Sequence, residues 1–169
     1  MTAPVAEAPR PSLEIDVLVE APAWEALEGA AALAERAARA ALATFEFDTD
    51  SEMSITLTDD ARIRVLNRDW RGKDKPTNVL SFPAADLPDE ALPQPLGDVI
   101  VAYETLAAEA EAEDKTPADH LTHLVVHGTL HLLGYDHIDD QEAEEMEALE
   151  RDILADLGID DPYGLPLDA

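Results

Sequence analysis

The chain has no cysteine, which excludes disulfides and cysteine-ligated zinc and suits a cytoplasmic protein. Cations are scarce. Eleven Lys and Arg face 38 Asp and Glu, a formal net charge of -27, which argues against general affinity for nucleic acid because phosphate contacts need positive charge. No apolar run reaches the roughly 18 residues a membrane span needs. The first eleven residues carry no basic flank followed by an apolar stretch, so they do not read as a secretory signal. What is present is 169 residues with 46% hydrophobic content, enough for one domain with a sizeable core. The expected organisation is a disordered tail over 1–11, a single domain over 12–163, and a C-terminal tail over 164–169.

The few cations are concentrated. Arg62, Arg64, Arg68, Arg71, Lys73 and Lys75 are six of the eleven, whereas twelve acidic residues lie between Asp136 and Asp161. A local basic patch on an acidic body can select one phosphate substrate while repelling bulk nucleic acid. A solvated helix face followed by a charged loop is the other reading, and charge alone leaves both open.

Apolar periodicity predicts the elements. Leu13, Ile15, Val17 and Val19 alternate as a strand, and residues 24–44 form an Ala-rich helical stretch. Residues 53–58 alternate again. Thr58 or Asp59 can cap a helix over 61–70 that Gly72 ends. Residues 77–82 and 98–103 read as short buried strands separated by a Pro-rich loop over 83–95. A helix follows over 104–113. Thr116-Pro117-Ala118-Asp119 then resembles a capping box with proline at the first helical position, opening a helix to Leu133. Asp139 or Asp140 starts the last helix, which ends near Leu157 before Gly158. In it Met146, Leu149, Ile153 and Leu157 form the expected buried stripe, with Glu144, Glu145 and Glu147 exposed. The order of elements predicts an α+β domain, a small mixed sheet packed with helices.

The chemistry is concentrated in His127-Gly128-Thr129-Leu130-His131-Leu132-Leu133-Gly134-Tyr135-Asp136-His137. His127 and His131 are four apart and share one helix face. Gly134 offers a left-handed cap that turns the chain back, so His137 can return as a third nitrogen. Three protein ligands leave a tetrahedral zinc one open position, as in catalytic sites. At 100° per residue His120, His123, His127 and His131 fall in one stripe about 80° wide. Leu121, Leu124, Val125, Val126, Leu130, Leu132 and Leu133 cover the rest of the circumference, so the helix should be buried. His120 and His123 either support the ligands and line the substrate groove or are hydrogen-bonded core residues. The spacing His-x-x-x-His-x-x-Gly-x-x-His matches the ligand frame of metzincin peptidases, which place a general-base Glu directly after the first His. Here that position is Gly128, so peptide hydrolysis by that route is not expected.

Three blocks then carry a wider resemblance. They are Leu66-Asn67 with Arg71-Gly72-Lys73-Asp74-Lys75-Pro76-Thr77-Asn78-Val79-Leu80-Ser81-Phe82-Pro83, then Leu96-Gly97-Asp98-Val99-Ile100, then residues 120–140. Over about residues 13–163 the chain resembles the YbeY family of bacterial endoribonucleases, or rRNA maturation factors. The resemblance implies a small mixed sheet around the metal-bearing helix. It also implies a single-strand-specific, zinc-dependent endoribonuclease acting in 16S rRNA 3′-end maturation and ribosome quality control, with single-stranded RNA and the small ribosomal subunit and its proteins as partners. It carries one Zn²⁺ onto His127, His131 and His137 and a catalytic arginine onto Arg71, with His127 also catalytic. It carries an aspartate onto Asp98, whose place is open between the groove and a ribosomal-protein contact. Zinc would polarise a phosphoryl oxygen or lower the pKa of a bound water. The base is left open among metal hydroxide, His123 and attack by the RNA 2′-hydroxyl. A metallopeptidase-like hydrolase and a non-catalytic ribosome-binding factor with structural zinc are the alternative readings.

Overall fold

The computed structural model describes residues 11–84, 93–135 and 139–159. The expected tails, most of the Pro-rich loop and His137 therefore lie outside or largely outside the described residues. Four strands form one mixed sheet: β1 (Leu13–Val19), β2 (Ser51–Thr58), β3 (Val79–Pro83) and β4 (Gln94–Ala102), in the order β1-β2-β4-β3. β1, β2 and β4 run parallel, and β3 closes one edge antiparallel to β4. Five helices accompany it: α1 (Ala30–Leu42), α2 (Asp60–Arg71), α3 (Tyr103–Ala112), α4 (Pro117–Leu132) and α5 (Asp140–Asp156). This is the α+β arrangement expected, a single small domain.

Strand alternation sorts side chains to two faces. Met53, Ile55 and Leu57 of β2 and Val99 and Val101 of β4 point to one face, where they join α1 and α4 in the main core. Leu80 and Ile100, paired across β3 and β4, point to the other face and pack with Ile63 and Leu66 of α2. α4 touches α1, α3, α5, β3 and β4, and ten of its residues are buried, including Leu121, Val125 and Leu130 at 0% exposure. The helix that bears the histidines is thus the central one, as its apolar circumference requires.

The caps fall where the side chains demand. Asp59 accepts the Arg62 N–H at 2.8 Å, and Gly72 (φ 70°) ends α2 in the left-handed region. Thr116 accepts the Asp119 N–H at 3.1 Å with Pro117 in the first turn of α4, and Asp139 accepts the Glu142 N–H at 2.8 Å at the start of α5. The first helix departs from expectation. Residues 22–26 form a 3-10 turn, and α1 begins only at Ala30, because Gly29 takes φ 73° and cannot continue a right-handed helix. Trp24 is instead a core residue. Its indole N–H donates to the Thr58 carbonyl at 2.8 Å, and its ring meets Tyr103 edge-on. In α5, Met146 and Ile153 are buried, Leu149 and Leu157 pack partly buried against the core, Glu144 and Glu145 are exposed, and Glu147 is partly buried. Met146 lies within a helix rather than a tight turn, so it is a packing residue.

Candidate metal centre and its cleft

α4 places His127 and His131 one turn apart, with their Nε2 atoms 3.0 Å from each other. The partners of the opposite ring atoms bear on where the hydrogens sit. His131 Nδ1 lies 2.9 Å from the backbone carbonyl of Tyr135, which can only accept, so Nδ1 carries the hydrogen. His127 Nδ1 lies 2.5 Å from Oε1 of Glu150, and an ionised carboxylate likewise can only accept. In neutral rings both Nε2 atoms then turn lone pairs toward one point. Two lone pairs face to face repel, and a cation between them removes the conflict. Two nitrogens each about 2.0–2.1 Å from a tetrahedral ion stand about 3.3 Å apart, close to the spacing observed. The donor set therefore fits zinc.

The turn after α4 supplies the anchor for His131. Gly134, at φ 100°, takes the left-handed conformation expected of it, and the Tyr135 N–H returns to the Leu130 carbonyl at 3.1 Å. The chain doubles back and delivers the Tyr135 carbonyl to the ring it has just passed. His137 lies outside the described residues.

His127 and His131 open into a cleft of about 530 Å³ that Arg71, Asn78, Val79, Ser81, Pro83, Gly134 and Tyr135 also line. Arg71 reaches it from the last turn of α2. Its Nη2 makes a long, 3.5 Å hydrogen bond to the Ser81 carbonyl on the edge strand. Other cations of the segment are engaged elsewhere. Arg62 donates to the Glu20 carbonyl, Arg68 pairs with Asp69, and Arg64 donates to Asp74 at 2.8 Å, which holds that carboxyl below its usual range. Arg71, Lys73 and Lys75 are exposed and enter no ion pair among the described residues.

The other two histidines line no part of this cleft, but each is one carboxylate away from it. His120, 4% exposed, meets Glu109 at 2.9 Å, and the same Glu109 oxygen accepts the Asn78 side-chain amide at 3.0 Å. His123 Nε2 lies 3.2 Å from Glu150 Oε2. Asp98 is placed differently. It pairs with Phe82 in the sheet register, accepts the Ser54 hydroxyl, and faces away from α4. With Asp16, Glu52, Ser54, Leu66, Trp70 and Phe82 it lines a second cleft of about 860 Å³, and Pro83 borders both clefts.

Three residues of the site had no role in the sequence reading: Glu150, and Asn78 and Ser81, which entered only as carriers of the resemblance. Glu150 had one signal, a charged residue four positions after Met146 and three before Ile153 on a buried stripe. Gly128 has a structural reason. A Cβ there would meet Val99 Cγ1 at 2.8 Å and the Ser81 hydroxyl at 3.0 Å. The position faces the sheet, not the cleft, so no side chain on it can act at the metal.

An open cleft that joins a metal-fitting histidine pair to an arginine suits hydrolysis of an anionic substrate, and comparisons with known proteins give the class. The family model described as Endoribonuclease YbeY matches residues 22–158. A protein of that name from Azorhizobium caulinodans is 73% identical over 91% of this chain and 98% of its own length. Another, from Paramagnetospirillum magneticum, is 58% identical over 90% of this chain and 97% of its own length. The solution structure of TM1509 from Thermotoga maritima has a similar fold, with a TM-score of 0.50 and 24% identity over 89% of this chain and 99% of that one. By class the protein is a hydrolase of phosphodiester bonds, an endoribonuclease. The chain belongs to the YbeY family.

Proposed function

We propose that this endoribonuclease is zinc-dependent and cuts single-stranded RNA in the cytoplasm during 16S rRNA 3′-end maturation and ribosome quality control. The observation that carries the metal reading is the convergence of the two Nε2 atoms to 3.0 Å, each ring held from behind at Nδ1. His127 and His131 would hold the ion, with His137 as the third ligand that the spacing suggests. Bound zinc would polarise a phosphoryl oxygen or supply a hydroxide near neutral pH. Arg71 binds the substrate: its planar guanidinium contacts two phosphoryl oxygens and offsets the charge that grows on them in the transition state. Ser81 steadies it, accepting Arg71 at its carbonyl while its hydroxyl donates to the Gly128 carbonyl at 3.0 Å. Gly128 counts against a peptidase, and the open cleft counts against a purely structural zinc.

The second cleft supports a separate role. Asp16, Glu52 and Asp98 make its rim acidic, and Trp70, 72% exposed, offers a face on which an arginine can stack. We assign it to a basic segment of a small-subunit ribosomal protein. The deciding experiment for the enzyme is cleavage of a single-stranded RNA by wild type and His127→Ala, with metal content measured on both. One zinc per wild-type chain is expected, with activity lost on chelation and restored by zinc. Full activity in metal-free protein refutes the reading.

A further inference from the structure

One residue on the buried stripe of α5 is not there for hydrophobicity. Glu150 is 0% exposed and flanked along the helix by Met146, Ile153 and Leu154. A carboxylate in such a place is strongly disfavoured unless hydrogen bonds compensate it. Its two oxygens go to two imidazoles, Oε1 to His127 Nδ1 at 2.5 Å and Oε2 to His123 Nε2 at 3.2 Å.

We propose that Glu150 is the positioning residue of the metal centre, a buried carboxylate that locks His127 with its hydrogen on Nδ1 and its lone pair on the cleft side. The inference rests on the metal reading above. It follows from what the contact does to the ring. The short bond fixes ring rotation, so Nε2 stays aimed at the point it shares with His131. It selects the tautomer that can ligate. It also leaves Nε2 more electron-rich, because a carboxylate draws the Nδ1 hydrogen toward itself. His123 holds the other oxygen and keeps the carboxylate from turning away from His127. His123 is thus two steps from the metal and acts through Glu150.

A purely structural Glu150, one that only ties α5 to α4, predicts different measurements. The full chain is stripped of metal by chelation, and zinc affinity is measured by competition with a chelating dye. Glu150→Gln keeps the volume and one acceptor but loses the charge. It should still bind one zinc at saturation, with affinity about 10–100-fold weaker. His123→Gln, which leaves the Glu150–His127 bond in place, should weaken zinc by only a few-fold. Glu150→Gln with lowered apo stability and wild-type zinc affinity overturns the proposal. Failure of wild type to bind zinc is a different result: the metal reading then falls, and this inference with it. Nitrogen-15 NMR of the wild-type apo protein removes any dependence on how the variants fold. The His127 hydrogen is expected on Nδ1, and finding it on Nε2 overturns the proposal.

Discussion

Gly128→Ala tests how closely α4 is pressed against the sheet. In an unconstrained helix interior this change stabilises by about 1 kcal/mol, because alanine restricts the unfolded chain. Here the new methyl would lie 2.8 and 3.3 Å from the two methyls of Val99 and 3.0 Å from the Ser81 hydroxyl. Val99 is 0% exposed in the central part of β4 and cannot retreat without moving the strand. Overpacking of this kind costs about 1–3 kcal/mol, and displacing the Ser81–Gly128 hydrogen bond adds about 1 kcal/mol. The opposing helix-propensity gain leaves a net destabilisation of about 1–3 kcal/mol. With a urea m-value of about 2 kcal/mol per M, a mid-range loss of about 2 kcal/mol lowers the unfolding midpoint by about 1 M at constant m. Urea unfolding of the metal-free protein, followed by circular dichroism, reads this directly. A Gly128→Ala protein more stable than wild type would refute the close packing, and with it the explanation for glycine at the position where metzincins carry their base.

Arg71→Ala should leave fold and zinc content unchanged, because the side chain is exposed, and should cut RNA cleavage about 10²–10³-fold if it acts like a lost oxyanion donor. Arg71→Lys should rescue only part, since an ammonium lacks the planar two-point contact; wild-type rates in Arg71→Ala, with metal verified, would end the assignment. Asp98→Lys reverses one charge in the second cleft without touching the first, so association with small ribosomal subunits should weaken while cleavage of a short RNA stays at the wild-type rate. Equal loss of both would show that the two clefts do not act separately.

Element types and the histidine helix were legible because local chemistry specifies them. Asp59, Gly72, Thr116, Pro117 and Asp139 mark helix ends through bonds made within one turn. The histidine stripe was legible for the same reason, since one helix carries it. What failed was long-range or masked by composition. The alanines of α1 hid the break at Gly29, where one backbone angle overrides helix propensity. β4 begins at Gln94, inside the proline-rich run, because Pro95 stands near the start of the strand, where a missing N–H is tolerated. The strand order, and hence the face on which Asp98 emerges, depends on pairing between distant segments. The role of Glu150 was hidden for that reason too, although its place on the buried stripe was a signal: its partners are 23 and 27 residues away, and only tertiary packing brings them to it.

The two histidines of the candidate centre are also unequal in heritability. His127 is held by a side chain, so a single codon change at Glu150 can release it. His131 is held by a peptide carbonyl, an atom that every residue type contributes at position 135. Substitution of Tyr135 leaves that acceptor in place as long as Gly134 keeps the turn. One half of the centre is thus written in the genetic code of a distant helix. The other half is written in the backbone path itself and is insulated from most point mutations.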